Sequence, residues 1–536
     1  MPEYPDFIGP SYTLASKNAA QDRCVNLYPS KIEFGGKTRY ELRHTPGLSP
    51  FVTIPKVPGR ALWSGENRLF AVGDDTLYEV TTGVAVVVGA MNSAATPATI
   101  FSNGRQLMIV NGSQVWIATG TSVVRPSYGA LTGLVNTTGT SVAATGTLKF
   151  PSTLAGLNVT INGVVYLVDS WINESNIILT TSAGVQALVT FNFTDFVNGV
   201  AGAVIGGYFA VLSPNSNTVN VSAVFNGLSW YSLDYQDRSA RADRLQMLYV
   251  VGNNLWLLGT KTSEVWALSA SAFPLDLIPG SVVDYGIWAP FSVAACGDSS
   301  IAWLSGSDRG IGPVILARGI GAGALQRIST DAVDEAIQGY NDATDAVGSV
   351  HTKDGHTFYI LNFPGAKKTW VYDLTEKLWH ERTYLSGGTT EVGQIQRFYA
   401  GFGREIMALA PASGKVYQVR SDVYDDDGVD IVRTRQAGHI SHEQKWLFYS
   451  SLQLDCNTGQ GIVANPSYTL EISNDGGNTF PMQIIQIGGA VAAYKTRIYW
   501  NRLGRSRDRV FRVTTRARNP QSWVAAYLEF QKGNGS

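Results

Sequence analysis

The chain has 536 residues, which is too many for a single hydrophobic core, so we expect two to four folding units. Charged residues make up only 15% of it, and 41 basic against 42 acidic residues leave a formal net charge of -1. This balance excludes a global basic field that would hold nucleic acid by counterion release, and three widely spaced cysteines exclude a disulfide framework. A polar surface with little charge is cheap to desolvate, which suits a protein that is buried against neighbours.

Residues 1–58 hold many prolines and show no clear hydrophobic period, so we interpret them as an extended N-terminal arm. The first residues, MPEYPD, lack the basic start and the apolar core of a signal peptide. The most apolar run, Val84 to Met91, is far shorter than a bilayer span. We therefore expect neither a cleaved leader nor a membrane-spanning segment.

Residues 59–420 are dominated by short strands that alternate apolar and polar residues between Gly and Asn turns. One unit recurs: an apolar strand, a polar turn, a second apolar strand, a second turn and a third strand that ends in an aromatic residue. Asn-Gly and Asp-Gly turns accept the positive φ angles of tight hairpins. The blocks are Arg60–Val80, Ile100–Ala118, Leu245–Leu268, Val347–Glu381 and Phe398–Val419, with turns at Glu66-Asn67, Asn103-Gly104, Asn253-Asn254 and Asp354-Gly355, and Phe291–Leu304 with Val314–Ala317 supplies a similar block.

Three hairpin-linked strands followed by a fourth that leads to the next unit form the blade of a β-propeller. The pattern therefore predicts an all-β protein whose main domain, residues 59–420, is a propeller that the arm of residues 1–58 could close. Blade repeats are typically about 40–50 residues long, and the irregular spacing here requires insertions between blades. A row of β-sandwiches is the alternative that the pattern leaves open.

Two segments interrupt or follow the repeat. Val135–Asn198 is rich in Thr, Val, Asn and Gly, and we interpret it as a small inserted β domain. Residues 421–536 carry further strands and predict a C-terminal β-sandwich. One helix is predicted at Asp331–Tyr340, with Asp331 as its N-cap and an apolar face towards the core.

The run Ser473-Asn-Asp475-Gly-Gly477-Asn-Thr479-Phe480 matches the S-x-D-x-G-x-T-[WF] pattern of an Asp-box turn. In such a turn the aspartate accepts hydrogen bonds from the backbone and the aromatic residue packs beneath it. Sialidases carry several of these boxes, but the box itself is structural. We predict a structural turn, while the numerous Arg and Tyr residues leave a sialidase-like site formally open.

Histidines and aspartates offer two weaker metal-site patterns. His351 with His356, and His439 with His442, come without a Cys or Glu at metal-ligand spacing. The aspartates of Asp425–Asp430 could hold calcium, but the glutamate that closes an EF-hand loop is absent. We interpret the histidines as structural and the aspartates as a solvated linker, and we predict no cofactor and no metal.

The C-terminal strands carry the only strong local charge, a series of arginines. Arginine forms bidentate bonds with carboxylates, so this series could pair with acidic groups of a neighbouring subunit. It could also pair within its own domain or form the solvated face of strands. Our candidates for an intersubunit contact are Arg505, Arg507 and Arg509.

Several segments resemble, in order, the packaged-DNA-stabilisation proteins of short-tailed bacteriophages, the tail-hub or nozzle proteins. The N-terminal QDRCVNLYP and HTPGLSPF resemble the start of that family. TKTSEVWAL, VDYGIWAPFSVAACGDSSIAWLSGSDRG, RISTDAVDEAI and KTWVYDLTEKLWHER resemble its central blades, and SNDGGNTF followed by YKTRIYWNRLGRSRDRVFRV resembles its end. The resemblance covers most of the chain except Val135–Asn198.

This resemblance implies a structural virion protein without catalytic residues. It implies a homo-hexameric ring below the portal-adaptor complex that closes or extends the DNA exit channel, retains packaged DNA and carries a tail needle or plug and fibres or tailspikes. The DNA would pass through without sequence readout. The alternative is a carbohydrate-binding or sialidase-like propeller acting on host glycans, which would need a pocket with paired carboxylates.

Overall fold

The structure is a computed structural model that describes residues 2–238, 240–297 and 299–533. Nearly all regular elements in these residues are β-strands, so the prediction of an all-β protein is confirmed. The chain divides into two compact units, residues 1–100 with 239–536 and residues 101–238. Each unit contains its own hydrophobic core.

The first unit begins with five short strands that do not form a sheet of their own. β1 pairs with β2 and β3 with β4, but β2, β4 and β5 pair with strands from the far end of the chain, as described below. The strands are β1 (Tyr12–Thr13), β2 (Gln21–Val25), β3 (Leu27–Lys31), β4 (Tyr40–His44) and β5 (Gly47–Thr53).

The next four strands form an antiparallel sheet of the blade type, in the order β6-β7-β8-β9. Its first hairpin turns through Glu66 and Asn67, whose φ angles are 53° and 58°, and the hairpin predicted at this position is confirmed. The strands are β6 (Gly59–Gly65), β7 (Arg68–Gly73), β8 (Thr76–Glu79) and β9 (Val86–Ala90).

The second unit holds two further four-stranded arrangements of this type, β10-β11-β12-β13 and β20-β21-β22-β23. Between them lies a separate group of six strands with its own core, which includes Val135, Ile161, Ile177 and Phe191. This inserted group begins at Ser127, before the predicted start at Val135. The strands are β10 (Ala98–Ser102), β11 (Leu107–Asn111), β12 (Gln114–Thr119), β13 (Ser122–Val124), β14 (Ser127–Thr138), β15 (Ser141–Ala144), β16 (Asn158–Ile161), β17 (Val164–Asn173), β18 (Asn176–Leu179), β19 (Val185–Phe196), β20 (Ala201–Ile205), β21 (Tyr208–Leu212), β22 (Thr218–Ala223) and β23 (Asn226–Asp237), with a 3-10 turn at Ser152–Leu154.

After residue 239 the first unit resumes with three more sheets of the blade type. Their orders are β24-β25-β26-β27, β28-β30-β31-β32 with β29 beside β30, and β33-β34-β35-β36. The turn at Asp354-Gly355, with φ of 52° and 83°, joins β33 to β34 as predicted. The strands are β24 (Leu245–Val251), β25 (Asn254–Gly259), β26 (Ser263–Leu268), β27 (Leu275–Leu277), β28 (Gly286–Ile287), β29 (Ala294–Gly297), β30 (Ser300–Ser307), β31 (Gly310–Arg318), β32 (Leu325–Arg327), β33 (Val347–Lys353), β34 (His356–Phe363), β35 (Lys368–Asp373) and β36 (Leu378–Glu381), with 3-10 turns at Pro290–Ser292 and Ala322–Ala324.

The predicted helix is present as α1 (Asp331–Gln338), two residues shorter than expected. Its N-cap is Thr330, whose hydroxyl accepts from the Val333 amide, so the prediction of Asp331 as the cap was wrong. Asp331 and Asp334 instead lie in the first turn, where the helix dipole favours acidic groups, and both contact Arg327.

The last sheet of the blade type takes its outer strand from the N-terminal segment. β39, β40 and β41 form an antiparallel meander, and β5 pairs with β41 from Lys415↔Thr53 to Arg420↔Gly47. The exposed edge that β41 would present is therefore covered by a strand from the start of the chain. The strands are β37 (Thr383–Ser386), β38 (Thr390–Gly393), β39 (Phe398–Phe402), β40 (Glu405–Ala410) and β41 (Lys415–Arg420).

The C-terminal part contains two sheets that enclose a core with Trp500 and Trp523 fully buried. One has the order β36-β2-β44-β50-β47-β48, and the other β3-β4-β51-β46-β49. Four of the N-terminal strands thus lie in or beside these sheets, which the interpretation as a simple arm did not anticipate. The strands are β42 (Asp425–Asp426), β43 (Val429–Asp430), β44 (Arg433–Gln436), β45 (Ile440–Ser441), β46 (Leu447–Cys456), β47 (Ser467–Ser473), β48 (Met482–Ile487), β49 (Ile498–Ser506), β50 (Asp508–Thr515) and β51 (Ser522–Lys532).

A cluster of buried histidines lies where β3 packs on the sheet β33–β36. His351 stacks on Tyr399 with ring centroids 5.0 Å apart, and His380 lies edge-on to Phe358 at 5.7 Å. Burial lowers the pKa of both His351 and His380 well below the usual value, and the nearby Arg382 guanidinium lowers both further. Both rings are therefore neutral in the folded protein at neutral pH.

Acid should destabilise the protein through these two rings. In the unfolded chain they bind protons below about pH 6.5, whereas the fold excludes those protons, so stability is fully present above that pH and falls below it by about 1.4 kcal/mol per pH unit for each histidine. We expect the melting temperature to fall steeply between pH 7 and pH 5. His351→Gln, which cannot take up a proton, should melt with a shallower pH dependence than the wild type. An unchanged pH profile for this variant would contradict the account.

Candidate functional site

The Asp-box segment forms a closed turn between β47 and β48. The Asp475 carboxylate accepts from the amides of Asn478 and Thr479 at 3.1 and 2.9 Å and from the Thr479 hydroxyl at 2.6 Å. The Ser473 hydroxyl donates to Asp475 at 2.6 Å and accepts from the Gly477 amide at 2.8 Å. The bonds from Ser473 and Thr479 hold the pKa of Asp475 well below its usual range. All of these partners belong to the turn itself.

The N-terminal segment packs directly against this turn. Gly476 and Gly477 have φ angles of 68° and 79°, and a Cβ at Gly477 would overlap the side chain of Gln21. His439 lies beside the same region, with Nδ1 2.9 Å from both oxygens of Asp508 and Nε2 2.8 Å from the Lys17 carbonyl. The turn therefore acts as a packing surface for residues 17–21.

Replacing Asp475 by alanine should weaken the C-terminal domain without removing any turnover activity. The substitution leaves the Asn478 and Thr479 amides without their acceptor, and we expect the melting temperature to fall by a few degrees. Glu443→Ala, which removes an exposed carboxylate of the same domain, is the control and should have little effect. A well-folded Asp475→Ala protein that had lost a glycan-cleaving activity of the wild type would overturn the structural interpretation.

The three arginines singled out from the sequence lie in different environments. Arg505 and Arg507 are exposed and lie over the ring of Trp446, with guanidinium carbons 4.7 and 5.1 Å from its centroid. Arg509 is 1% exposed and donates to the Asn474 side chain and to the carbonyls of Leu503 and Arg505. An intersubunit contact can therefore rest on Arg505 and Arg507, whereas Arg509 stabilises its own domain.

Other arginines of the C-terminal part pair within the domain. Arg512 forms a two-pronged contact with Glu471 at 2.6 and 3.0 Å. Arg518 contacts Asp425 and Asp430 of the β42–β43 hairpin at 3.2 and 2.8 Å. Two of the aspartates considered for calcium, Asp425 and Asp430, are thus paired with an arginine, and Asp427 contacts Lys415 at 2.6 Å. The described residues contain no group of three or more His, Cys, Asp or Glu placed to hold a metal ion.

Arg509 and Arg507 should differ sharply in their effect on stability. Arg509→Met leaves one amide oxygen and two carbonyls without a donor, and we expect the free energy of unfolding to fall by about 2–4 kcal/mol. Arg507→Met removes an exposed cation–π contact and should cost about 1 kcal/mol or less. Urea unfolding followed by tryptophan fluorescence measures both. Equal losses for the two variants would contradict the assignment.

One hydrogen-bond chain has the residue types of a hydrolytic triad. His356 Nδ1 lies 2.6 Å from Asp373 and its Nε2 lies 3.1 Å from the Ser30 hydroxyl. A catalytic serine must reach its substrate, but Ser30, His356 and Asp373 are only 7%, 5% and 0% exposed. These hydrogen bonds instead connect strand β3 to the hairpin β34–β35. Sequence reasoning missed it because Ser30 and His356 are 326 residues apart.

A carboxylate-lined cavity of about 770 Å³ lies between the sheets β24–β27 and β28–β32. Asp308 contacts Lys261, Asp284 lies 3.9 Å from Arg241, and Asp243 accepts from the Lys261 and Thr262 amides. A glycosidase acid is a carboxyl group that apolar surroundings keep protonated. Carboxylates held by cations and amides do not favour that chemistry.

The three cysteines have no disulfide partner. Burial raises the pKa of Cys24, Cys296 and Cys456 to about 12, so none is a reactive thiolate. No helix in the described part of the chain is long and apolar enough to cross a membrane.

The sequence matches two family models over most of its length. The model described as bacteriophage P22 Gp10, beta-propeller, matches residues 127–424, and that described as bacteriophage P22 Gp10, beta-sandwich, matches residues 433–531. The chain belongs to the bacteriophage P22 Gp10 family. This membership confirms the resemblance to packaged-DNA-stabilisation proteins and the fold class, a β-propeller with a C-terminal β-sandwich. The protein is a phage structural protein and a virion component.

Comparison with solved structures and curated proteins adds no further family. The N-terminal domain of Nup159 matches with 9% identity and a TM-score of 0.35, covering 75% of this chain and 99% of that one. The Pan2 WD40 domain of Neurospora crassa matches with 10% identity and a TM-score of 0.30, covering 70% and 96%. An exo-beta-1,3-galactanase of Phanerochaete chrysosporium matches with 9% identity and a TM-score of 0.22, covering 91% and 100%. No curated protein matches the sequence.

Proposed function

We propose that this member of the Gp10 family is the tail hub, or nozzle, of a short-tailed phage. Six copies form a closed ring below the portal-adaptor complex, and the ring closes or extends the DNA exit channel and retains the packaged genome. The observation that carries the proposal is the match of both family models, to residues 127–424 and 433–531. The proposal includes the absence of an enzymatic activity and assembly in the host cytoplasm.

The surface of the inserted strands supports a protein that is buried in an assembly. Lys149, Asp169, Glu174 and Asp195 are the only charged residues from 127 to 196. Four apolar side chains near the β16–β17 turn are more than half exposed: Val164, Val165, Val185 and Leu188. Apolar groups exposed in this way mark interaction surfaces. We infer that this insertion contacts a distal tail component, such as a needle or plug, a fibre or a tailspike.

The proposed contact between neighbouring copies can be tested by substituting individual residues. A ring requires two different surfaces on each copy that fit one another. Arg505 and Arg507 are exposed, and no ion pair joins either of them to an acid among the described residues. They can therefore form bidentate bonds with carboxylates of a neighbouring copy.

Arg505→Glu with Arg507→Glu should block incorporation into the particle while the monomer still folds. The two substitutions replace attraction by repulsion at the contact, and neither disturbs a buried group. Arg516→Glu, at an exposed arginine of the same domain, is the matched control. We expect particles made with the double variant to package DNA and then lose it. Complete tails that hold their DNA normally would rule out this contact.

The carbohydrate-active alternative is not favoured by the structure or the family. The carbohydrate-active alternative would be supported if particles that contain this chain cleave host glycans and lose that activity when this chain alone is removed. We expect purified protein to bind and cleave no host glycan.

A further inference from the structure

A pocket of about 740 Å³ lies where the first strands of three sheets of the blade type begin. Gln246 of β24, Val347 of β33 and Phe398 of β39 line it, and each is the first or second residue of its strand. Trp288 and Phe291 add two more aromatic rings to the wall, and all three aromatic side chains are only partly buried. Concave sites with aromatic walls and a few polar groups are typical binding pockets.

The pocket also contains an arginine whose charge no contact neutralises. Arg397 lines the pocket, and neither a hydrogen bond nor an ion pair joins its guanidinium to another of the described residues. Burial lowers the pKa of Arg397, and the charge of Asp345, which is not within 4 Å, opposes this. One oxygen of Asp345 instead accepts from the Gly365 amide at 2.6 Å. A partly desolvated guanidinium without a partner favours the binding of a further carboxylate.

The same chain presents an aromatic side chain next to a free carboxylate. Phe34 lies at the tip of the loop between β3 and β4, residues 32–39, and is 97% exposed. Phenylalanine is among the residues most often buried in folded proteins, and aromatic residues are enriched in protein–protein interfaces. The neighbouring Glu33 is exposed, and no ion pair engages its carboxylate within the described part of the chain. We call this segment the Phe34 loop.

The shape of the Phe34 loop is fixed by its own residues. The Ile32 amide donates to the Arg39 carbonyl at 2.9 Å and closes the base of the loop. Gly35 has a φ of 69°, and a Cβ at Gly36 would overlap the Ile32 side chain. The loop is therefore preformed with the Phe34 ring in solvent. A preformed loop loses less conformational entropy when it binds a partner.

We propose that the Phe34 loop of one copy inserts into the aromatic pocket of a second copy of this chain. The Phe34 ring packs against the aromatic wall, and the Glu33 carboxylate pairs with the Arg397 guanidinium. Loop and pocket are two different surfaces of one chain, as a head-to-tail ring requires. This contact rests on the ring proposed above and is independent of Arg505 and Arg507.

Phe34→Ser should reduce incorporation of the chain into particles at least tenfold, because an aromatic anchor in a pocket carries much of the energy of an interface. The melting temperature of the isolated chain should not change, because the ring is in solvent. Ile462→Ser is the matched control: Ile462 is 93% exposed in the loop between β46 and β47, and this variant should be incorporated normally. Quantitative blotting of particles made with each variant as the sole source of the chain measures incorporation. Normal incorporation of Phe34→Ser would overturn the contact.

A disulfide between the two surfaces identifies the partner directly. Thr344 is exposed and lines the pocket, so particles that carry Phe34→Cys with Thr344→Cys should give covalent multimers of this chain on oxidation. Ile462→Cys with Thr344→Cys is the control and should remain monomeric.

The outcomes separate this contact from the tail-hub proposal. Cross-links to a chain of different mass, or monomers alone from particles whose images show a ring of this chain, would overturn the contact and leave the tail hub intact. Particles without such a ring would overturn the tail-hub proposal and the contact with it.

Discussion

The fold depends on the pairing of the first 53 residues with strands from the last third of the chain. β5 covers the edge of β41, β2 lies between β36 and β44, and β4 pairs with β51. An uncovered strand edge exposes a row of unpaired amides and carbonyls and invites association with other chains. The N-terminal strands remove these edges, and the two ends of the chain must therefore fold together.

Buried polar groups hold these long-range pairings in register. The Asn26 amide donates to the carbonyls of Thr383 and Val432, and its oxygen accepts from the Thr383 amide. Arg435 bonds to carbonyls of residues 6 to 23 and to Asp22. Each group would be costly to leave unpaired, so a shifted register is penalised at both places. These contacts explain how an N-terminal segment with little apolar period is ordered.

The local features of the fold were predictable from the sequence. The alternation of apolar and polar residues predicted the fold class. The residues at Glu66-Asn67 and Asp354-Gly355 predicted hairpins, because tight hairpin turns need positive φ angles that few residue types adopt readily. The helix was found from its apolar face, although Thr330 rather than Asp331 caps it. These features depend on residues close together in the chain.

The features that were missed depend on distant residues or on strand ends. Cys24 of β2 lies opposite Arg435 of β44 in the antiparallel register. No local sequence pattern predicts a strand partner so far along the chain. Arg505, Arg507 and Arg509 have the spacing of one exposed strand face, but β49 ends at Ser506 and β50 begins at Asp508. The two strands belong to different sheets, so the alternation of β49 does not continue to Arg509, which is buried within the domain. The hydrogen bonds among Ser30, His356 and Asp373 likewise arise only when β3 packs on the neighbouring sheet.

Membership of the Gp10 family, the low charge and the exposed apolar insertion support a subunit that works inside a larger assembly. The most direct test is electron microscopy of purified particles in which this chain carries a label. The tail-hub account predicts label in a closed ring on the tail axis, directly below the portal-adaptor complex. Label confined to fibres away from the axis, or absent from the particle, would contradict it.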